Sequence, residues 1–382
     1  MADAADSKSA GGNPVRVRLS PRAPMETRGW YYRLYTGINN RLRLSAGGRL
    51  AAWCRPTSVL FLITERCNAR CCHCNIWQNR GKEDPPSTEQ WKAALSDIRA
   101  WLGPVQVTLT GGEALLVQST PELVRHGSSL GLLMEVLSHG YWGDQSRIEA
   151  LAEARPWRVT MSLDGLGERH SKIRGRAEFF ERTMTSFATL DRLRRERDLG
   201  YGIRFKTVVM RHNIDQLVPL ARFATRDGVD IFYQPIEQNY NTSEDPQWFL
   251  HSDNWPEDPA EAVAAVRDLI GLKRAGLHIA NSFAQLEAMI PYFQNPAAWR
   301  VSTQTHAAHE RWLPCEALQL IQVQANGDVQ SCVSQPPIGS IKQSALSTIW
   351  KTRPQWWKAG CCLERRLTPE ERFRVAAGAL SP

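Results

Sequence analysis

The sequence predicts an α/β protein built on a parallel sheet. Two observations lead to this class: six short runs rich in β-branched and aromatic residues, and a stretch with helical periodicity after each run. Six strand-then-helix units in series favour either an open doubly wound sheet or a partial (β/α) barrel. In both architectures the chemistry belongs at the C-terminal ends of the strands. The predicted strands are Ser58–Thr64, Val105–Thr110, Leu132–Ser138, Arg158–Leu163, Ile203–Met210 and Asp230–Ile236.

Helix boundaries between these strands are marked by capping residues. Ser87 and Gln90 form a capping-box pattern, and Gly103 is placed to end the helix that follows them. Asp144 is expected to cap a later helix, and Asn213 is expected to open another. These signals place each helix directly after its strand.

The change in pattern along the chain divides it into five segments. A chain of 382 residues exceeds one typical domain. A run with an Asn326-Gly327 turn predicts a β-hairpin over Leu320–Cys332. The segments are residues 1–27 as a disordered tail, 28–57 as a helical segment, 58–245 as the β/α core, 246–310 as a helical connection and 311–382 as a small cysteine-bearing α+β domain.

Composition excludes several classes of protein. With 42% hydrophobic and 23% charged residues the chain is neither collagen-like nor wholly disordered. The apolar run Ser58–Thr64 is far shorter than the roughly 18 residues of a transmembrane helix. The N-terminus lacks the apolar core of a secretion signal, so a cytoplasmic location is expected.

The net charge and the N-terminal helical segment give only limited information about binding partners. The net charge of +8 comes from dispersed basic residues, so no nucleic-acid partner is expected. Residues 28–53 mix tryptophan and leucine with arginine, which predicts amphipathic helices packed on the core. Contact of this segment with a membrane surface or with substrate is the less favoured alternative.

Nine cysteines are the most informative residues. In a reducing compartment they are expected to be metal ligands or reactive thiols rather than disulfides. Cys67, Cys71 and Cys74 follow the first predicted strand at spacings of four and three. Three thiolates so spaced can hold three irons of a cubane cluster and leave the fourth iron open. A zinc site using Cys72 or His73, or a reactive thiol loop, remains the alternative on spacing alone.

At these residues the sequence resembles the radical S-adenosylmethionine (radical SAM) enzymes, whose signature is C-x3-C-x2-C after the first barrel strand. Further motifs follow in register with the strands. These are Thr110-Gly111-Gly112-Glu113, Ser138-His139-Gly140, Ser162-Leu163-Asp164-Gly165, Arg174-Gly175 and Val208–Asn213. The resemblance covers about residues 55–240 and, less fully, 310–350. It implies a partial (β/α)6 TIM-like barrel with a small C-terminal cluster-binding α+β domain.

The resemblance also implies which residues bind the cofactors. A [4Fe-4S] cluster would be held by Cys67, Cys71 and Cys74. S-adenosylmethionine would be bound by Gly111, Gly112, Glu113, Ser138, Ser162, Asp164 and Arg174. Residue chemistry agrees, because glycines permit close backbone approach, a glutamate accepts from an ammonium group, and an arginine fork suits a carboxylate.

The C-terminal cysteines resemble those of a SPASM domain or its shorter form, Twitch. The ligands implied for an auxiliary [4Fe-4S] cluster are Cys315, Cys332, Cys361 and Cys362. Adjacent cysteines rarely reach two corners of one cubane, so one of the last two, more readily Cys361, is expected to ligate. A zinc knuckle or two buried structural thiols is the alternative.

The implied reaction is reductive cleavage of S-adenosylmethionine to methionine and a 5′-deoxyadenosyl radical, which abstracts hydrogen from a substrate in an oxidation, epimerisation or rearrangement. A flavodoxin or ferredoxin is the expected reductant, and the auxiliary cluster would assist. Residues 1–57 leave little room for a leader-binding domain of roughly 80 residues, which favours a small metabolite over a peptide. A peptide-modifying enzyme is the alternative, and a non-catalytic zinc- or cluster-binding protein is less favoured.

Substrate contacts are expected at the end of the sixth strand. Four polar residues there are candidate ligands, namely Gln234, Glu237, Gln238 and Asn239. Solvation of an ordinary loop is the competing interpretation.

Overall fold

A single nine-stranded sheet organises the part of the chain that the structure describes. The computed structural model describes residues 25–44, 53–79, 84–240, 242, 245, 247–296, 318–332 and 335–354. The strands are β1 Ser58–Leu62, β2 Gln106–Thr110, β3 Leu133–Ser138, β4 Arg158–Ser162, β5 Gly202–Val209, β6 Asp230–Pro235, β7 Leu320–Val323, β8 Asp328–Gln330 and β9 Gly339–Ser340. Their order in the sheet is β6-β5-β4-β3-β2-β1-β7-β8-β9.

Strands β1 to β6 pair in sequence order and all in parallel, forming an open partial barrel. The predicted barrel is therefore confirmed, and each of its six strands lies within two residues of the predicted bounds. Along β5 fully buried residues such as Phe205 alternate with partly exposed ones such as Lys206. This period of two sends one set toward the helices and the other into the barrel.

Ten α-helices lie among the described residues. They are α1 Met25–Leu44, α2 Thr88–Leu102, α3 Thr120–Ser129, α4 Ser146–Glu153, α5 Glu168–Arg174, α6 Phe179–Glu196, α7 Leu217–Arg226, α8 Pro259–Arg274, α9 Phe283–Gln294 and α10 Leu346–Thr352. The capping box of Ser87 and Gln90 begins α2 as predicted, and Gly103 ends it with φ of 85°. Local capping signals thus fix this helix at both ends.

Two capping predictions were wrong in position. Asp144 accepts a hydrogen bond from the Ser146 amide, but Gln145 is the residue at the N-cap of α4. Asn213 lies within a 3₁₀ turn over Arg211–Gln216 and has non-helical angles, and α7 begins only at Leu217. Its amide instead donates to the carbonyls of Asp164 and Val208, which ties the ends of β4 and β5 together.

Helix α1 packs on the barrel through one face. Tyr35 is buried and its hydroxyl donates to the carbonyl of Pro56 at 2.6 Å. Trp30, Leu34 and Ile38 lie on the opposite, exposed face. None of the described helices is both long and apolar enough to span a membrane.

The C-terminal hairpin is confirmed, and it belongs to the barrel sheet. Strands β7 and β8 pair antiparallel, while β7 pairs in parallel with β1 from Ser58 opposite Leu320. Trp350 of α10 packs in the main hydrophobic cluster and donates to the Cys54 carbonyl at 3.1 Å. The described part of segment 311–382 is thus continuous with the core, and the domain bounds stay a prediction.

A polar network fills the lower half of the barrel, toward the N-terminal ends of the strands. Glu135 on β3 is buried and accepts from Arg158 Nε at 2.8 Å, Arg204 Nη2 at 2.7 Å and Thr160 Oγ1 at 2.6 Å. Gln106 donates to its other oxygen. Although burial alone would raise the pKa of Glu135, the two arginines lower it to about 2.

Candidate functional site

A cavity of about 310 Å³ opens at the C-terminal ends of the barrel strands. Its walls come from the loop after β1, the Gly111-Gly112 turn after β2, and the ends of β3 to β6. This is the end of the barrel at which the sequence placed the chemistry. The predicted site residues that line it are Cys67, Cys71, Cys74, Gly111, Gly112, Glu113, Ser138, Ser162, Arg174, Gln234, Glu237 and Gln238.

The three cysteines of the motif share one wall of this cavity. Their loop is held by backbone hydrogen bonds to the end of α5, from Arg70 to the Arg174 carbonyl at 3.0 Å and from Cys72 to the Ile173 carbonyl at 3.1 Å. All three thiols are free, and Cys71 is buried. Burial raises the pKa of Cys67 to about 12 and also raises the pKa values of Cys71 and Cys74.

The donor set suits a cubane cluster better than a single ion. Among the described residues, no three His, Cys, Asp or Glu side chains converge closely enough for one metal ion. Cys67, Cys71 and Cys74 instead surround shared cavity space, and three separated soft sulfur donors match three irons of a [4Fe-4S] cluster. The site residues present therefore fit the expected group.

The Gly-Gly-Glu turn is pressed against the cysteine loop. Gly111 has φ of 138°, and the Gly112 amide donates to the Thr64 carbonyl at 2.8 Å. A Cβ atom at Gly112 would overlap the carbonyl oxygens of Glu65 and Arg66. These glycines are needed because two backbone segments touch here, so the turn and the cysteine loop form one unit.

Glu113 is engaged by the protein itself. It is buried, and its two oxygens accept from the Leu115 amide at 3.0 Å and the His139 amide at 2.9 Å. Burial raises the pKa of Glu113 to about 7. The two backbone hydrogen bonds act in the opposite direction, because they stabilise the carboxylate form. The carboxylate thereby fixes the turn after β2 to the end of β3.

His139 completes that connection. Its Nδ1 accepts from the Tyr141 amide at 2.9 Å, which puts the ring proton on Nε2, where it faces Asn68 Oδ1 at 2.8 Å. Burial holds the pKa of His139 well below its usual range, so the ring is neutral. Ser138, one residue earlier, lines the cavity.

Asp164 and Arg174 form a buried ion pair beside the cysteines. Arg174 Nη2 lies 2.5 Å from Asp164 Oδ2, and Arg174 Nη1 lies 3.5 Å from Cys71 Sγ. Burial alone would raise the pKa of Asp164, but Arg174 lowers it below its usual value. Arg174 lines the cavity, whereas Asp164 is fully buried and lies outside the lining.

Asp164 is further fixed from several sides. Its amide donates to His170 Nδ1 at 3.0 Å, and its Oδ1 accepts from the Val208 amide at 2.9 Å. Its carbonyl accepts from Asn213. The side chain of Asp164 is thus held against Arg174 and is not part of the cavity lining, and its role in binding S-adenosylmethionine stays a prediction.

The four predicted substrate residues separate in the structure. Gln234, Glu237 and Gln238 line the cavity, although Gln238 also donates to Thr242 at 2.8 Å. Asn239 is not part of the lining. Its amide donates to the Cys72 carbonyl at 3.3 Å, which also accepts from Asn254 at 3.1 Å, so Asn239 secures the cysteine loop.

Some lining residues were missed from the sequence. Lys206, from the middle of β5, and Tyr240, after β6, both line the cavity. Burial raises the pKa of Tyr240 to about 12. The period-two pattern of β5 was the signal available for Lys206, because it puts that residue on the same face as Val208 at the strand's end.

The predicted auxiliary site is described in part. Cys332 is buried just after β8. Cys315, Cys361 and Cys362 lie outside the described residues. The ligand set of this second cluster therefore stays a prediction.

Comparison with known proteins confirms the resemblance drawn from the motifs. Residues 61–224 match the family model of the Radical SAM superfamily. Enzymes of this superfamily use a [4Fe-4S] cluster and S-adenosylmethionine, the cofactors expected from the sequence. The match spans β1 to α7 and so includes every cysteine of the C-x3-C-x2-C motif.

Two curated relatives show how far the similarity extends. The sporulation killing factor maturation protein SkfB of Bacillus subtilis (strain 168) is 33% identical over 136 residues, which are 35% of this chain and 33% of the relative. The chain thus spans about a third of that protein's length. Pre-heme d1 synthase of Dinoroseobacter shibae is 25% identical over 319 residues, covering 79% of this chain and 75% of the relative.

A solved structure supports the fold. The crystal structure of Streptococcus suis SuiB bound to precursor peptide SuiA superposes with a TM-score of 0.60 at 17% identity, covering 86% of this chain and 70% of SuiB. At this identity the similarity establishes the TIM-like fold of the barrel.

Proposed function

We propose that this protein is a radical SAM enzyme that acts on a peptide substrate. The observation that carries the proposal is that the three motif cysteines and the Gly-Gly-Glu turn line one cavity at the C-terminal end of the barrel. When bound there, a [4Fe-4S] cluster supplies the electron that cleaves S-adenosylmethionine to methionine and the hydrogen-abstracting 5′-deoxyadenosyl radical.

The chain's own residues bind and orient the cofactors. Cys67, Cys71 and Cys74 would hold the cluster, which would leave one iron open to S-adenosylmethionine. Arg174 offers its guanidinium at the cavity wall to the cofactor's carboxylate, while Asp164 keeps it there. Because Glu113 is already engaged by backbone amides, it shapes the turn that receives the cofactor's ammonium group.

A peptide substrate is better supported than the small metabolite favoured by the sequence. SkfB is a maturation protein for a killing factor, and SuiB was solved with a precursor peptide. A small-molecule substrate is the second candidate, because the alignment with pre-heme d1 synthase covers 79% of this chain and 75% of that relative. Gln234, Glu237 and Gln238 are the proposed contacts for either class.

The proposal also includes the source and the acceptor of the electrons in the reaction. A flavodoxin or ferredoxin would reduce the first cluster, in the cytoplasm. Cys332 with Cys315 and Cys361 or Cys362 would hold an auxiliary [4Fe-4S] cluster. Such a cluster would accept an electron if the substrate is oxidised, and it would serve binding or structure if the reaction is redox-neutral, as in an epimerisation or rearrangement.

Anaerobic reconstitution tests the cofactor assignment. We expect about eight irons per chain with both clusters and about four with the first alone. The protein should form 5′-deoxyadenosine from S-adenosylmethionine under strong reductant. Cys71→Ala should abolish this product, whereas Cys72→Ala, its exposed neighbour outside the cavity lining, should retain it. Zinc in place of iron, or equal activity of both variants, would overturn the proposal.

Fractionation tests the substrate class. Cell extract from the source organism is separated by mass, and each fraction is assayed for stimulation of 5′-deoxyadenosine formation, with and without protease treatment. A stimulating fraction that protease destroys supports a peptide. A low-mass fraction that resists protease supports a small metabolite and contradicts the peptide proposal.

A further inference from the structure

Lys206 is a cation inside the barrel with no role in the site described so far. It stands on β5 opposite Ser162 of β4 and Phe232 of β6. Its side chain lines the cavity, as those of Ser162 and Gln234 do. Lys206 therefore lies between the polar network around Glu135 and the C-terminal ends of the strands.

Two neighbouring arginines already have ion-pair partners. Arg174 is paired with Asp164, and Arg204 is paired with Glu135. Within the part of the chain that the structure describes, the Lys206 ammonium forms neither a salt bridge nor a hydrogen bond. Glu237, Glu135 and Asp164 act on it only from a distance, and burial still lowers its pKa.

A cation in this position favours an anionic ligand. Lys206 is partly exposed at the cavity, and its ammonium carries three N–H donors that are not used by any described residue. A ligand oxygen carrying negative charge would supply the missing partner and be stabilised by it. The cavity thus has the chemistry of an anion subsite on its β5 wall.

Lys206 and Arg174, the residue proposed to bind the carboxylate of S-adenosylmethionine, reach the cavity from different elements. Arg174 ends α5 and contacts the cysteine loop, whereas Lys206 shares its wall with Val208 and Gln234. Gln234 and Glu237 are the residues proposed to meet the substrate. We propose that Lys206 binds an anionic oxygen group, a carboxylate or a phosphate, of the substrate; this inference rests on the proposed function.

Anion binding tests the subsite without requiring turnover. The full-length reconstituted protein, saturated with S-adenosylmethionine, is titrated with sodium phosphate or sodium acetate at constant ionic strength against chloride, and binding is followed by calorimetry. Wild type and Lys206→Arg should bind one of the two anions with similar affinity. Lys206→Met should bind it about tenfold or more weakly, as expected for loss of a charged hydrogen bond. Lys172→Met, a change at an exposed lysine of α5, is the matched control.

The two arms identify the ligand group, since preference for acetate indicates a carboxylate and preference for phosphate a phosphoryl group. Affinity for S-adenosylmethionine should change less than about threefold in Lys206→Met, and Lys172→Met should retain the background formation of 5′-deoxyadenosine. The inference is overturned if wild type binds neither anion, if Lys206→Met binds as wild type does, or if its affinity for S-adenosylmethionine falls tenfold. A protein that shows Lys206-dependent anion binding but no cleavage keeps the subsite and loses the proposed function.

Discussion

The two ends of the barrel differ in how their charged groups are paired. At the lower end, the carboxylate of Glu135 accepts from arginine, threonine and glutamine donors, although Arg204 Nε in the same network has no hydrogen-bond partner among the described residues. At the upper end, His73 Nδ1 is buried without a hydrogen-bond partner among the described residues, and Lys206 has no ion-pair partner there. Saturated polar groups hold a structure together, whereas unsatisfied groups around a cavity have bonding capacity left for a ligand. The same strands therefore provide stability at one end and binding at the other.

The largest effect is expected from Glu135→Gln at the lower end. Removing one side of a buried charge network should reduce the free energy of unfolding by about 3–5 kcal/mol. Formation of 5′-deoxyadenosine per folded molecule should stay unchanged, because Glu135 does not line the cavity. Denaturant unfolding beside an exposed control, Glu196→Gln, measures the effect. An equal loss in both variants would remove the distinction between the two ends.

The same carboxylate should make stability depend on pH. The pKa of Glu135 is about 2 in the folded protein and about 4.3 in an unfolded chain. Its contribution, about 3 kcal/mol, is therefore complete above the unfolded value and is lost as pH falls toward 2. Acid unfolding curves should show this loss in wild type, and Glu135→Gln should lack that component.

We expect Gly112→Ala, at the upper end of the barrel, to lower the rate of S-adenosylmethionine cleavage. The added Cβ would overlap two backbone oxygens of the cysteine loop, and a displacement of about 1 Å can cost roughly 100-fold in rate. Gly202→Ala is the control, because the nearest atom to its Cβ would be 3.9 Å away. The measurements are iron content and 5′-deoxyadenosine formation. Full activity in Gly112→Ala would show that the two loops move independently.

A smaller effect is expected from Arg174→Lys. Lysine keeps the charge beside Asp164 but loses the planar fork that also reaches Cys71. Cleavage of S-adenosylmethionine should fall about tenfold, while the free energy of unfolding changes by about 1 kcal/mol or less. Arg169→Lys, on the same helix with 43% of its side chain exposed, should have no effect. Full activity of Arg174→Lys would show that the guanidinium of Arg174 is not needed to hold the cofactor.

The smallest effect is expected from Asn239→Ala. It removes one of two amide donors to the Cys72 carbonyl and leaves Asn254 in place, a change of about 1 kcal/mol. Activity should remain within about threefold, and Asn239→Ala combined with Asn254→Ala should release iron faster to a chelator. A large rise in KM for substrate in the single variant would instead make Asn239 a substrate ligand, as its sequence position suggested.

Local signals predicted the barrel well. Strand runs and the Ser87 capping box depend on neighbouring residues, so the six strands and the start of α2 could be read from the sequence. The cysteine and Gly-Gly-Glu motifs likewise predicted which loops meet at the cavity. The order of the motifs along the chain was sufficient for this prediction, because parallel strands bring their C-terminal ends to one edge of the sheet.

Features that depend on distant residues were not predictable in this way. Asn213 was expected to open a helix, but its amide is used by Asp164, far away in sequence. Asn239 lies in a polar run typical of a binding loop, yet it bonds the Cys72 carbonyl. No local pattern encodes the partner of a side chain, so polar residues were assigned to the right region without their individual contacts.

The parallel pairing of β1 with β7 has a consequence for how the protein folds. Strand β1 leads directly into the cysteine loop, and among the described residues its outer edge pairs with a strand that begins at Leu320. During synthesis this edge stays open until residues 320–323 have left the ribosome, and contacts so distant in sequence form slowly. A newly made chain thus exposes a hydrophobic strand edge beside its reactive thiols, which makes chaperone dependence and inclusion-body formation at high expression the expected behaviour.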